Sequence, residues 1–141
     1  MIYLLYGQPG SGKTSLGKLL ASHLDTPFII DGDELREMFT NTNYGREGRE
    51  ENIRNANAVA TYLNKKGKDV VMSVVSPYKH LRGELKNRNA GQVVEVMLSS
   101  RRDLRKEYHV EDFEKGSPDC IVRTDQDLRD SWDYLKTLLQ I

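Results

Sequence analysis

The sequence predicts an α/β fold, a parallel sheet of about five strands with helices on both faces. Three observations predict it. Apolar runs of strand length alternate with stretches of helical periodicity along the chain. The first run leads directly into a glycine-rich loop and a helix. Polar residues, several of them carboxylates, follow the ends of the later runs. Alternation of this kind implies a parallel sheet covered on both faces, with ligands held at the carboxyl ends of the strands.

The first strand is Ile2-Tyr3-Leu4-Leu5-Tyr6, followed by Gly7-Gln8-Pro9-Gly10-Ser11-Gly12-Lys13-Thr14. These eight residues match G-x-x-x-x-G-K-[ST], a P-loop. Gly7, Gly10 and Gly12 let the backbone turn its N–H groups onto a polyphosphate. Ser11 contributes another amide, and the following helix adds its positive dipole end. Lys13 is expected to reach the β- and γ-phosphates of ATP, and the Thr14 hydroxyl to hold Mg²⁺. Leu16, Leu19, Leu20 and Leu24 then recur at helical spacing.

A short strand at 28–30 runs into Asp31-Gly32-Asp33. Carboxylates at the end of a strand beside a P-loop sit where a ligand binds, suited to a Mg²⁺-bound water or an acceptor hydroxyl. Asp33 also suits the N-cap of a helix over 34–39. Residues 40–48 read as a polar loop carrying Tyr44. A longer helix is expected over about 47–66, with Ile53, Ala56, Val59, Ala60 and Leu63 as its apolar face and Gly67 as its stop. Arg49 and Asn52, three residues apart near its start, share one side.

The third strand, 69–75, ends at Ser76-Pro77-Tyr78, where proline cannot continue the ladder. An exposed, mostly polar helix is expected over 80–89. A fourth strand, 92–98, precedes the basic run Arg101-Arg102-Asp103-Leu104-Arg105-Lys106, read as the start of a cationic lid over about 101–119 that closes on the γ-phosphate. Cys120-Ile121-Val122 reads as a buried fifth strand. Thr124 is expected to cap the last helix, with Leu128, Trp132, Leu135 and Leu139 in the core.

A chain of 141 residues, with no linker or repeat visible, is expected to form one domain over 1–141. Lys plus Arg and Asp plus Glu number 21 each, so no net field favours nucleic acid or an anionic membrane. The single cysteine, Cys120, reads as a packed thiol with no internal disulfide partner. With no signal or apolar anchor in view, the expected setting is the cytoplasm.

The P-loop alone indicates nucleotide binding, not a reaction. Asp31-Gly32-Asp33-Glu34-Leu35-Arg36, Tyr44 with Arg49-Glu50-Glu51-Asn52-Ile53-Arg54, and Ser76-Pro77-Tyr78-Lys79 narrow it. Together, in this order and spacing, they resemble the signature set of adenylylsulfate (APS) kinases. The resemblance covers the chain from the P-loop to about Tyr108 and, more weakly, the terminal helix. It implies a nucleotide-kinase-like P-loop NTPase fold, a three-layer sandwich that is often dimeric, and transfer of the γ-phosphate of MgATP to the 3′-OH of APS, giving PAPS. It further implies that Asp33 orients the acceptor hydroxyl, with Asp31 supporting it or the metal. Arg36 and Arg49 would grip the phosphosulfate. Asn52 and Ser76 would add hydrogen bonds, and Tyr44 would stack on the adenine opposite Phe113. Arg102 and Arg105 would be the lid cations.

The chain departs from the family pattern in three places. Lys106-Glu107 stands where the family has Gly-Leu, the stretch before Phe113 is short, and Gln8-Pro9-Gly10 is closer to loops of other nucleotide and sugar kinases. These departures bear on the acceptor rather than the donor. Two further readings therefore stand beside the first. One is a related kinase acting on a nucleoside, sugar, antibiotic or hydroxymethylated nucleic-acid base. The other is a nucleotide-binding regulator without phosphotransfer, against which the sequence has neither N-K-x-D nor D-x-x-G.

Overall fold

The structure, a computed structural model, describes residues 1–100 and 109–141. The basic run read as the start of the lid, including Arg102 and Arg105, lies outside the described residues. Strands β1 (Ile2–Tyr6), β2 (Ile29–Asp31), β3 (Val70–Val74), β4 (Val93–Ser99) and β5 (Cys120–Arg123) form one sheet in the order β2-β3-β1-β4-β5. Every pairing is parallel, with Ile2 opposite both Val70 and Val93, so the carboxyl ends of the strands share one edge.

Alternation along the strands sends successive side chains to opposite faces, and each face acquires its own core. On one face Ile2, Leu4, Tyr6, Met72 and Val74 pack beneath α2 (Gly32–Met38), α3 (Arg46–Lys65) and α4 (Lys79–Arg88). On the other, Leu5, Val71, Val96 and Val122 pack against α1 (Lys13–His23) and α5 (Leu128–Leu139). The result is a three-layer sandwich. Each fully buried Leu, Ile or Val removes enough apolar surface from water to contribute about 1.5–3 kcal/mol. Helix α1 lies directly on β3 because Gly17 has no side chain there: an added Cβ would run into the Ser73 hydroxyl. That hydroxyl donates to the Lys13 carbonyl at 3.1 Å, fastening the start of α1 to the sheet.

Several local expectations need correction. Asp31, not Asp33, caps α2: its Oδ1 accepts from the amides of Asp33 (2.9 Å) and Glu34 (3.3 Å), which puts Asp33 inside the first turn. Asp31 wins because its backbone is still extended, at φ −100° and ψ 130°, as an N-cap requires. Helix α5 is capped by Asp127, whose carboxylate accepts from the Arg129 amide at 2.8 Å; Thr124 instead donates its amide to the Ser99 carbonyl. Strand β5 is the sheet edge, so Val122 is buried while Ile121 is 41% exposed and Cys120 only half-buried. Leu128 is also exposed, unlike Leu135.

The largest correction is at α4, which buries Leu81, Arg82 and Leu85 rather than lying exposed. It docks on α3 through a chain of buried amides. Asn57 donates to the Leu81 carbonyl at 3.0 Å, and Asn89 donates to the Thr61 hydroxyl at 2.9 Å. Asn64 donates to Asn89 at 3.0 Å and to Gln92 at 2.8 Å. No described helix is long and apolar enough to cross a membrane.

Candidate functional site

Two clefts at the carboxyl edge of the sheet share a wall, and the phosphate loop floors the first. Gly10 and Gly12 take φ of +85° and +86°, a left-handed backbone open to glycine at no steric cost. Gly7 is needed for a different reason: a Cβ would approach the Leu98 carbonyl to 2.7 Å and the Ser11 hydroxyl to 2.8 Å. The loop therefore folds tightly between β1 and α1 at the positive end of the α1 dipole, and the Ser11 amide, expected to face a phosphate, donates to the Gln8 carbonyl at 3.1 Å. Lys13 lies over the loop, its Nζ donating to the Gln8 carbonyl at 2.9 Å and to the Ser11 hydroxyl at 3.3 Å. The Thr14 hydroxyl donates to Asp31 Oδ2 at 3.3 Å, so one carboxylate caps α2 with one oxygen and meets the loop with the other. These are hard oxygen donors, the chemistry Mg²⁺ prefers when phosphates and water complete its shell.

The second cleft is lined by Arg36, Tyr44, Arg49, Asn52 and Ser76 together with Val110. Pro9, Gly32, Asp33, Val74 and Val75 line both clefts, and Asp33 is the one ionisable residue among them. A carboxylate at the junction of two clefts can accept a proton from, or orient, a hydroxyl held between them.

Four side chains of the second cleft, Arg36, Tyr44, Arg49 and Asn52, are positioned by identifiable neighbours. Arg36 donates to the carbonyls of Asn41 and Asn43 at 3.3 and 3.0 Å, and its guanidinium stacks 4.2 Å from the centre of the Tyr44 ring. It thus braces the 41–45 loop that presents Tyr44. Gly48 lets that loop lie against α3, since a Cβ there would strike the Asn43 backbone; Asn41 donates across to the Gly48 carbonyl at 2.8 Å. Arg49 donates to the Tyr78 hydroxyl at 3.1 Å and faces Asp112 at 3.8 Å. Arg46, stacked on the same Tyr78 ring, pairs with Asp112 at 2.9 Å. Asn52 donates to the Gly32 carbonyl at 3.2 Å, while its buried Oδ1 has no hydrogen-bond partner among the described residues. An orphaned acceptor on a cleft wall is costly unless a ligand donor meets it.

Ser76 is buried with φ of +40°, strained for a residue that has a Cβ. Its carbonyl accepts from Arg82 Nη1 at 2.7 Å, and Arg82 Nη2 donates to the Glu114 carbonyl. The guanidinium lies 4.3 Å from the centre of the Tyr6 ring. Burial lowers the Arg82 pKa, and burial, partly opposed by the Arg82 charge, pushes the Tyr6 phenol up to about 12. The Tyr6 hydroxyl donates to the Lys115 carbonyl at 2.7 Å. Phe113 is not among the residues lining the second cleft. It stacks on Tyr6, ring centres 6.2 Å apart and 11° from parallel, against the core. Its apolar ring is held by the buried face of Tyr6.

The sequence reading placed Tyr78 with Ser76 at this edge but gave no individual part to Gln8, Arg82, Val110 or Asp112, whose partners are distant in the chain.

The sequence profile described as "Adenylylsulphate kinase" matches residues 1–116, most of the chain. The chain belongs to the adenylylsulphate kinase family. Among curated members, the adenylyl-sulfate kinase of Myxococcus xanthus is 37% identical over 89 residues, covering 60% of this chain and 48% of the relative. That of Picosynechococcus is 34% identical over 110 residues, covering 70% and 62%. The chain thus matches roughly half to three-fifths of the length of these family members. In structure, the Mycobacterium tuberculosis APS kinase in complex with AMPPNP and APS superposes with a TM-score of 0.83 over 99% of this chain and 97% of the other, at 22% identity. A gluconokinase from Sinorhizobium meliloti gives 0.73 over 98% and 90%, at 18% identity. Those likenesses establish the P-loop kinase fold shared by the family and its neighbours.

Proposed function

We propose that this protein is an ATP-dependent phosphotransferase that moves the γ-phosphate of ATP to the 3′-OH of adenylylsulfate, giving PAPS. The observation that carries the reading is Asp33, the carboxylate common to a phosphate-loop cleft and a cleft edged by two arginines and an aromatic ring. Membership of the adenylylsulphate kinase family supplies the acceptor.

In this reading the loop amides and Lys13 hold the polyphosphate. The Thr14 hydroxyl and Asp31 would hold Mg²⁺, which supplies charge neutralisation at the β- and γ-phosphate oxygens. Arg49, and Arg36 once its loop contacts adjust, meet the acceptor's anionic groups with paired N–H donors. Tyr44 offers its ring to the adenine, and Asn52 Oδ1 accepts a hydrogen bond from the acceptor. Asp33 aligns the 3′-OH for in-line attack and takes its proton. Phosphoryl transfer needs positioning and charge stabilisation more than covalent help, and these residues supply both.

The position of Phe113 favours one alternative. With that ring against Tyr6, the described residues lining the second cleft include no second aromatic ring opposite Tyr44, which suits an acceptor without a base, such as a sugar. The test is ADP release by the purified protein with MgATP and a panel of hydroxyl acceptors. PAPS formation from APS is expected; stimulation by another acceptor and not by APS would replace the first reading with the second. No stimulation by any acceptor would favour a nucleotide-binding regulator. Asp33→Asn should lower turnover about 10²–10⁴-fold while donor affinity stays within about twofold.

A further inference from the structure

Gln8 does no chemistry in this scheme, yet it is bonded on both sides. Its Nε2 donates to the Val110 carbonyl at 2.8 Å and its Oε1 accepts from the Val110 amide at 2.9 Å, copying the paired bonds of a strand ladder. Its own carbonyl accepts from Lys13 Nζ at 2.9 Å and from the Ser11 amide at 3.1 Å. Val110 is buried and lines the second cleft. Beside it, a His109 ring nitrogen lies 3.0 Å from the Pro9 carbonyl. The far end of this segment is pinned separately, by the Glu114 amide to the Pro77 carbonyl at 2.8 Å and by Tyr6 to Lys115. Movement of Gln8 is therefore felt at Val110 rather than lost along a slack chain.

We propose that Gln8 is a positioning residue that couples occupancy of the phosphate loop to the wall of the acceptor cleft. A polyphosphate in the loop draws the Lys13 ammonium onto its oxygens, because charge-assisted bonds to phosphate are stronger than the bond to a neutral carbonyl. The Gln8 carbonyl then keeps only the Ser11 amide, its peptide plane reorients about that remaining bond, and the side chain on the same residue carries the change to Val110. Coupling between two ligands is reciprocal, so each raises or lowers the affinity of the other by the same factor.

This inference rests on the reading of the two clefts as donor and acceptor halves, and the experiment separates the two. The probes are a non-hydrolysable ATP analogue with Mg²⁺, and APS, with amide hydrogen exchange at Val110 as a readout independent of turnover. In the wild-type protein the analogue should change Val110 exchange by about fivefold or more and shift APS affinity by about three- to tenfold, with APS shifting analogue affinity equally. In Gln8→Leu the Val110 amide should exchange about tenfold faster, stop responding to the analogue, and the cross-effect should fall to about one, with analogue affinity kept within about threefold. Gln8→Glu, which can accept from the Val110 amide but not donate to its carbonyl, should fall between the two. A wild-type Val110 indifferent to the analogue, or a Gln8→Leu protein that keeps the response, overturns the inference. A Gln8-dependent response at Val110 together with no APS binding would leave the coupling standing and remove APS as the acceptor.

Discussion

Replacing Arg82 by methionine tests whether one buried cation braces the acceptor edge. The side chain is 2% exposed and bonded through separate nitrogens to the Ser76 and Glu114 carbonyls, with its guanidinium on Tyr6. Methionine fills most of the volume, so little cavity forms. What is lost is the partner of two carbonyls, at about 1–3 kcal/mol each if left unpaired, and a cation–π contact of about 1–2 kcal/mol. What is gained is relief from burying a charge, worth several kcal/mol in the opposite direction, and the net expectation is a loss of about 2–4 kcal/mol. With a urea m-value of about 2 kcal/mol/M, the unfolding midpoint should drop by about 1–2 M. Arg82→Lys, which can reach one carbonyl but not both, should recover about half of the loss. A methionine variant within about 0.5 kcal/mol of wild type would mean that the Ser76 turn and the 109–116 segment hold themselves, and the bracing argument would be wrong.

Three other outcomes follow from the geometry. Lys13→Ala should weaken both donor binding and turnover, since the ammonium it removes is the one lying over the phosphate loop; unchanged kcat/KM for ATP would count against that loop as the donor site. Gly48→Ala forces a Cβ into the Asn43 backbone and should displace the loop carrying Tyr44, raising acceptor KM about fivefold or more with donor KM nearly constant. Burial raises the Cys120 pKa, so the thiol stays protonated across neutral pH; modification by a disulfide reagent at pH 8 should run about tenfold or more slower than for a free cysteine. The same shift fixes a sign: the folded state holds this proton more tightly, so its contribution to stability is full below the unfolded pKa and is lost as pH rises through the folded value.

What the sequence made legible is what local physics decides. The phosphate loop is a contiguous turn whose glycines, lysine and hydroxyl act within eight residues, and the strand alternation that separates Leu4 from Leu5 needs only a period of two. Asp31 and Asp33 were harder to tell apart because either carboxylate can cap a helix, and a helix beginning on Gly32 runs against propensity. Arg82 was read as solvated because arginine usually is; its partner carbonyl at Glu114 lies 32 residues downstream. The Gln8 clasp spans 102 residues and leaves no periodic trace at either end. Phe113 was assigned to the acceptor by resemblance, and only the packed position of Tyr6 shows where that ring rests.

Helix α3 divides its labour along its length. Its first two turns carry Arg49, Asn52 and Ile53 to the second cleft, whereas Asn57, Thr61 and Asn64 lock its later turns to α4 and to Gln92 just before β4. The half that lines the cleft is not the half that holds the helix in register. Selection for a new acceptor can therefore explore the early turns while the amide-bonded half keeps the helix seated. Such a chain is expected to tolerate drift in specificity better than one whose recognition and anchoring residues coincide.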